Sequence, residues 1–233
     1  MNAESVQQAL TELADPAIAE HSQRFFKTGP GEYGEGDRFR GIRVPVQRTV
    51  ARRFDKLPLA ETERLLHSPF HEDRLTALLI LVRQFRRKQA DHAAIYDLYL
   101  RNTAYINNWD LVDSSAPQIV GAFLADKPRD VLDELALSDS LWARRIAIMA
   151  TLHFIKLGQF EDTLRLSRVL LHDSEDLIHK AVGWMLREVG NRNLAVEEGF
   201  LADTYRTMPR TMLRYAIEKF PEEKRKAYLE GKV

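Results

Sequence analysis

The feature that most constrains the fold is a spacing of about 35 residues between related segments of the chain. Marker side chains recur at intervals of 35, 36, 35 and 34 residues; they are Arg74, Trp109, Arg145, Lys180 and Arg214. One helical turn further on, the same register contains Leu78, Asp113, Met149, Trp184 and Glu218. A repeat of this length with two helices is typical of HEAT or armadillo solenoids, in which helical pairs stack on one another. The sequence therefore predicts an all-α solenoid with a concave face.

Helical patterns follow one another along nearly the whole chain, and no stretch alternates with the period of two that a half-buried strand requires. We predict one helix over Val6–Lys27, which continues after Pro16. Another is predicted over Trp109–Leu124, which Pro117 either kinks or divides into two. A third long helix is predicted over Leu141–Leu157. No linker or low-complexity segment interrupts the sequence, so we expect a single domain over residues 1–233.

The register places several chemically active side chains on equivalent helices. Trp109 and Asp113 are four residues apart, which puts them one turn apart on the same face of a helix. We expect them to converge with Arg145, Lys180 and Trp184 on the concave face. A solitary tryptophan is more often a core residue, and Asp113 could also be a surface carboxylate or a structural partner of Arg145. The charged neighbours of both tryptophans favour a functional interpretation.

The charge of the chain is balanced, with 34 basic and 34 acidic residues. A protein that binds nucleic acid by electrostatics alone would be basic overall, so such a function requires a local patch. One segment meets this requirement because it contains six arginines and no acid: Arg38, Arg40, Arg43, Arg48, Arg52 and Arg53. The alternative is a solvated helix face. Within a neutral chain, this segment is the best candidate for binding phosphates.

Several kinds of site are excluded by the residues that are missing. The chain has no cysteine, which excludes disulfides, iron–sulfur clusters, zinc ribbons and thiol nucleophiles. Pro69 prevents His67 and His71 from forming a regular helical pair, and neither H-E-x-x-H nor G-x-S-x-G is present. We expect no metal and no cofactor.

Residues 28–37, here named the Gly-rich loop, contain a formal G-x-G-x-x-G at Gly29, Gly31 and Gly34. No predicted strand precedes the motif and no helix begins at its third glycine. The acidic residues around it would also repel a pyrophosphate. We therefore interpret this segment as a loop rather than a dinucleotide-binding motif.

The first residues, Met1–Leu13, lack the basic and apolar regions of a signal peptide. No run of about 18 apolar residues is present, so no segment is expected to span a membrane. These features lead us to expect a soluble, cytoplasmic protein. We also expect a monomer that associates with the nucleoid through DNA.

Three segments resemble the AlkD family of bacterial DNA-alkylation-repair glycosylases. They are Asn108–Asp113 (NWDLVD), Trp142–Arg145 (WARR) and Gly183–Glu188 (GWMLRE). Arg24–Asp37 and Gly41–Pro45 also look like that family, so the resemblance extends over essentially the whole chain. It implies an all-helical solenoid of HEAT-like repeats that binds DNA in a basic concave groove.

The resemblance also implies roles for individual residues. Asp113 takes the position of the family's catalytic aspartate. Trp109 and Trp184 take the positions of two tryptophans that pack against the sugar and backbone of the damaged nucleotide. Arg145 takes the position of an arginine near the phosphates. Phe25 stands where the family has a tyrosine, so the ring is kept and the hydroxyl is absent.

Further contacts with DNA are expected from basic residues near these positions: Lys27, Arg43, Lys180 and Arg214. The function that the resemblance implies is a DNA glycosylase for cationic purines alkylated at N3 or N7. It would act on duplex DNA without a base-flipping pocket. The alternative is a non-catalytic HEAT scaffold that binds branched DNA or a protein partner.

Overall fold

The computed structural model describes all of residues 1–233 and consists of helices, most of them joined by short connections. The nearest approach to β structure is one parallel bridge between Arg38 and Phe70. The predicted all-α fold is confirmed, and the arrangement of helices is consistent with an α-solenoid. No helix combines the length and the apolar character needed to cross a membrane.

The chain divides into two compact units, residues 1–123 and residues 124–233. The prediction of one continuous domain over residues 1–233 stays a prediction. The first unit contains helices α1 (Ala3–Thr11), α2 (Pro16–Phe25), α3 (Val44–Arg53), α4 (Leu59–Leu66), α5 (His71–Phe85), α6 (His92–Arg101) and α7 (Trp109–Asp113). The second contains α8 (Val131–Ala136), α9 (Leu141–Ala150), α10 (Leu152–Lys156), α11 (Glu161–Val169), α12 (Asp176–Gly190), α13 (Leu194–Thr204), α14 (Arg210–Ala216) and α15 (Glu222–Glu230).

Helix α5 is the core of the first unit. It is buried along nearly its whole length, because α1, α3, α4, α6 and α7 all pack around it. In the second unit, α12 packs between α9 and α14, and α11 and α13 lie against it as well. Central helices with apolar residues on several faces provide most of the buried area that stabilises such units.

The prediction of one helix over Val6–Lys27 is wrong, because this segment forms two helices. The chain leaves α1 after Thr11 and begins α2 at Pro16. Proline cannot donate the backbone hydrogen bond that a continuous helix needs, whereas it suits a first turn. Asp15 caps the new helix, since its carboxylate accepts hydrogen bonds from the amides of Ala17 (2.9 Å) and Ile18 (3.2 Å).

Two other long helices are also divided. After α7 the chain forms a π-helical turn at Pro117–Gly121, where proline again removes a backbone donor. The helix predicted over Leu141–Leu157 is interrupted at Thr151 and becomes α9 and α10. Thr151 Oγ1 donates to the carbonyl oxygen of Ile148 (2.7 Å), and such a local bond competes with the helical ladder.

The 35-residue register corresponds to helices that alternate along the chain. Arg74 lies on α5 and Trp109 on α7; in the second unit Arg145, Lys180 and Arg214 lie on α9, α12 and α14. Within each unit, the helices that carry these markers pack against one another. The markers therefore lie on helices that pack together within each unit, and the equivalence of these helices as members of one repeat stays a prediction.

Candidate nucleic-acid site

Helix α7 is short and carries one aromatic and two acidic side chains of the candidate site. Its first residue is Trp109, its second is Asp110 and its last is Asp113. Asn108 caps the helix with its side-chain oxygen, which accepts a hydrogen bond from the amide of Trp109 (2.8 Å). The cap defines where the helix begins and so places Trp109 and Asp113 one turn apart on a single face.

Two phenylalanines hold the ring of Trp109. The ring of Phe26 stacks against it with centroids 5.4 Å apart, and the ring of Phe25 meets it edge to face at 6.0 Å. Phe25 is 57% exposed, whereas Trp109 is half-buried. An exposed aromatic ring fixed against a second ring is a suitable surface for a sugar or a base.

Beneath these rings lies a group of four charged side chains, named here the charged cluster: Asp37, His71, Arg74 and Asp110. The Nδ1 atom of His71 is 2.8 Å from a carboxylate oxygen of Asp37, and its Nε2 atom is 2.8 Å from one of Asp110. Arg74 donates to the other oxygen of Asp37 (2.8 Å). Nothing in the sequence pattern predicted this cluster, and Arg74 is buried rather than open to a ligand.

The cluster alters the protonation of its members. Burial disfavours the charged form of His71, but the negative charges and hydrogen bonds of Asp110 and Asp37 outweigh it and raise the pKa of His71 to about 9. Burial likewise opposes ionisation of Asp37, yet its hydrogen bond to His71 and the charge of Arg74 lower its pKa. The cluster is therefore two cations facing two anions at neutral pH.

A cavity of about 520 Å³ adjoins the rings. Its walls are largely apolar and include Phe25, Phe26, Phe39 and Ile42, with His71 and Asp110 among the lining residues. Arg43, a predicted DNA contact, also lines this cavity and is exposed.

Asp113 lines a second cavity, of about 440 Å³, here named the arginine cleft. Its basic residues are Arg48 and Arg52 on α3 and Arg83 and Arg86 at the end of α5. Arg83 is 3.5 Å from Asp55, whereas Arg48, Arg52 and Arg86 make no ion pair. A carboxylate thus lines the same cleft as four guanidinium groups, three of which have charge available for phosphate oxygens.

The arginine-rich segment 38–53 has no single role in the structure. Arg40 pairs with buried Asp73 (2.7 Å) and lies over the ring of Phe70, so its contribution is structural. Arg53 lies over Phe54. Only Arg48 and Arg52 reach the arginine cleft. Arg40 therefore has a structural partner, while phosphate binding by Arg48 and Arg52 stays a prediction.

The second unit carries the other predicted residues. Trp184 is half-buried on α12, and Lys180 pairs with Asp176 (2.7 Å) on the same helix. Arg145 is buried and donates to the carbonyl oxygen of Leu177 (2.5 Å). Arg214 is exposed on α14. Their roles toward DNA stay predictions.

The Gly-rich loop is folded back on the residues that hold Trp109. The amide of Gly34 donates to the carbonyl oxygen of Lys27 (3.0 Å), and Lys27 itself has a positive φ of 52° and is exposed. Glu32 and Glu35 accept hydrogen bonds from the amides of Gly29 and Gly31 (both 2.9 Å). These loop amides are occupied by carboxylates, so the loop does not form a phosphate cradle.

Comparison with known proteins identifies the family of this chain. Residues 6–220 match the family model described as DNA alkylation repair enzyme. The chain belongs to the DNA alkylation repair family. No curated protein matches the sequence significantly.

A solved structure described as a predicted DNA alkylation repair enzyme from Enterococcus faecalis has a similar fold. The TM-score is 0.70 at 18% sequence identity, and the match covers 90% of this chain and 97% of that chain. At such an identity the similarity shows the fold alone. Membership of the DNA alkylation repair family supports a role in the repair of alkylated DNA.

The basic end of α5 lines the arginine cleft but was not among the predicted DNA contacts. Arg83 and Arg86 precede Arg87 and Lys88, so four cations follow the apolar part of this helix within six residues. That run was a usable signal, because the last turn of a buried helix carries such charges out to the surface.

Proposed function

We propose that this protein is a DNA glycosylase that hydrolyses the N-glycosidic bond of cationic purines alkylated at N3 or N7 in duplex DNA. The main support is the position of Asp113 in the arginine cleft, on the same short helix as Trp109. A group of arginines can hold the phosphates while one carboxylate faces the sugar between them. Family membership supports alkylated DNA as the substrate.

The chemistry suits a site with one carboxylate and no strong acid. An alkylated purine carries a positive charge, so it departs with the bonding electrons as a neutral base. Positive charge then develops on the sugar, and the carboxylate of Asp113 stabilises it electrostatically. Asp113 also orients a water molecule, whose oxygen bonds to the anomeric carbon while its proton passes to the carboxylate.

The aromatic residues engage the nucleotide in this proposal. Trp109 and Phe25 offer ring faces to the sugar, since an aromatic face attracts positive charge. Trp184 takes a similar role, as the resemblance implies. Lys27, Arg43, Lys180 and Arg214 contribute contacts with the DNA backbone, whereas Arg145 is buried and is not proposed as a direct contact. Because the cationic base is already a good leaving group, the reaction does not require a pocket for an extruded base.

The test is release of free base from duplex DNA containing 7-methylguanine or 3-methyladenine. The wild-type protein is compared with Asp113→Asn, which keeps the shape and loses the charge. Asp203→Asn, at an exposed position on α13, is the matched control and should excise normally. Tight binding of duplex or branched DNA by the wild-type protein without release of base would favour the scaffold function instead.

A further inference from the structure

His71 joins three separate segments of the first unit. It is 2% exposed and contacts Asp37 at the end of the Gly-rich loop and Asp110 in α7, while it is itself the first residue of α5. Its backbone amide donates to the carbonyl oxygen of Arg38 (2.8 Å). One buried ring therefore connects the loop, the central helix and the helix that carries the candidate site.

Both contacts require a proton on each ring nitrogen. Ionised carboxylates only accept hydrogen bonds, and a neutral imidazole has one N–H and one lone pair. With 2.8 Å to Asp37 on one side and 2.8 Å to Asp110 on the other, a neutral ring would direct a lone pair at a carboxylate. The cluster in this geometry is built around an imidazolium.

The connection to the candidate site is direct. Asp110 lies between Trp109 and Asp113 on α7. The ring of Phe26 stacks on the ring of Trp109 (5.4 Å) and packs at a tilt against the ring of His71 (4.8 Å). A change at His71 therefore reaches Trp109 by two routes, through the carboxylate of Asp110 and through the shared ring of Phe26.

The other charged groups around His71 are engaged elsewhere or lie at the cavity wall. Glu72 accepts hydrogen bonds from the backbone amides of Arg40, Gly41 and Ile42, and Arg74 pairs with Asp37. His21 on α2 and Arg43 before α3 line the cavity that His71 lines. None of these replaces the imidazolium between the two carboxylates.

We propose that His71 is a positioning residue: its imidazolium, held between Asp37 and Asp110, fixes the first turn of α7 and so orients Trp109 and Asp113. The catalytic consequence rests on the proposed function, whereas the structural coupling does not. When His71 loses this proton, its neutral ring can donate a hydrogen bond to only one of the two carboxylates. Asp110 is then released, and the packing of Phe26 beneath Trp109 loosens.

The coupling is measured by NMR in the full-length protein. Histidine Cε1–H signals report the protonation of His71, and 5-fluorotryptophan provides a signal for Trp109, assigned from its loss in Trp109→Phe. We expect His71 to titrate near its raised pKa of about 9 and the Trp109 signal to shift with the same midpoint. A Trp109 signal that does not respond while His71 titrates would overturn the proposal, as would a neutral His71 at pH 7.

Three variants sharpen the test. His71→Gln should abolish the titration of Trp109. Asp110→Asn still accepts a hydrogen bond but lacks the charge, so it should lower the midpoint by about one pH unit or more. This near-isosteric change keeps the test valid if His71→Gln fails to fold. His21→Gln, which removes the other histidine of the cavity, should leave the Trp109 midpoint unchanged; loss of the titration in this control would overturn the assignment to His71.

Single-turnover excision tests the consequence for the reaction. At pH 7.5, His71→Gln should excise 7-methylguanine about 10- to 100-fold more slowly, as expected when reacting groups are displaced. Its affinity for undamaged duplex DNA should stay near that of the wild type. If the wild-type protein releases no base but the Trp109 signal still titrates with the midpoint of His71, the proposed function fails and the positioning role stands. Wild-type excision rates in a folded His71→Gln protein would overturn the role of His71 in positioning.

Discussion

The carbonyl oxygen of Met212 lies 2.4 Å from the position that a Cβ atom on Gly183 would occupy. The Cβ atom of Tyr215 would be 2.5 Å from the same point. Helices α12 and α14 therefore approach so closely at this residue that only glycine fits between them. Because Gly183 directly precedes Trp184, this contact also determines where that tryptophan lies in the second unit.

Gly183→Ala should consequently destabilise the protein. The added methyl group meets backbone atoms that cannot move without separating the helices, and overpacking of this kind costs about 1–3 kcal/mol. Gly199→Ala is the matched control, because no atom lies within 4 Å of its added Cβ and the position is helical. That substitution should stabilise by about 0.5–1 kcal/mol. Urea denaturation measures both, and equal effects would contradict the close approach.

Asp113→Asn should separate binding from catalysis. Removal of a negative charge beside the arginine cleft leaves affinity for duplex DNA unchanged or slightly higher. Excision of 7-methylguanine should fall about 100-fold or more, the usual effect of losing one electrostatic stabiliser. The decrease should be smaller for 3-methyladenine, whose glycosidic bond is more labile. Single-turnover rates decide this, and an unchanged rate for both lesions would remove Asp113 from its proposed role.

The arginine cleft predicts that the affinity for duplex DNA depends on salt concentration, although the chain is neutral overall. Arg48→Ala and Arg52→Ala should each weaken binding to undamaged duplex DNA and reduce the slope of log K against log salt by about one. Arg53→Ala is the control, since it removes the same charge from the same helix outside the cleft. Titrations at several ionic strengths give the slopes. Equal changes in all three variants would indicate a diffuse effect of net charge.

The charged cluster should make the protein less stable at alkaline pH. The folded state retains the proton of His71 up to a pKa of about 9, whereas the unfolded chain releases it near 6.5. The folded state binds the extra proton between these values, so the free energy of unfolding falls as pH rises through this window. The loss is on the order of 3 kcal/mol. His71→Gln should show a flatter profile in denaturant titrations; an identical slope would contradict the prediction.

Glu197 in the second unit should also lower the free energy of unfolding as pH rises, in a lower pH range than His71. Burial, assisted by the charge of Glu198 and opposed by Arg187, raises the pKa of Glu197 to about 8. The contribution of Glu197 to the free energy of unfolding declines as pH rises from the ordinary glutamate pKa of 4.5 through about 8, because the carboxyl group ionises more readily in the unfolded chain. Glu197→Gln should therefore gain stability relative to the wild type at pH 9, on the order of 5 kcal/mol. The gain should shrink toward pH 4, and a constant difference across the range would contradict this cause.

Local patterns in the sequence determined the class of fold and part of the candidate site. The repeat of about 35 residues and the helical spacing of apolar residues are properties of neighbouring positions, so the helices could be predicted before their packing was known. Trp109 and Asp113 lie one turn apart for the same reason. The Gly-rich loop was also predictable, because glycine and proline set local backbone geometry.

The tertiary structure alone decided which charges meet. His71 contacts Asp37 and Asp110, which are 34 and 39 residues away, and nothing in the spacing of these residues indicates the pairing. The sequence does not distinguish the arginines of α3 from one another. The packing of α3 against α5 places Arg48 and Arg52, but not Arg53, in the cleft that Asp113 also lines. Helix formation depends on neighbours a few residues apart, whereas the partner of a buried charge depends on which distant helices pack beside it.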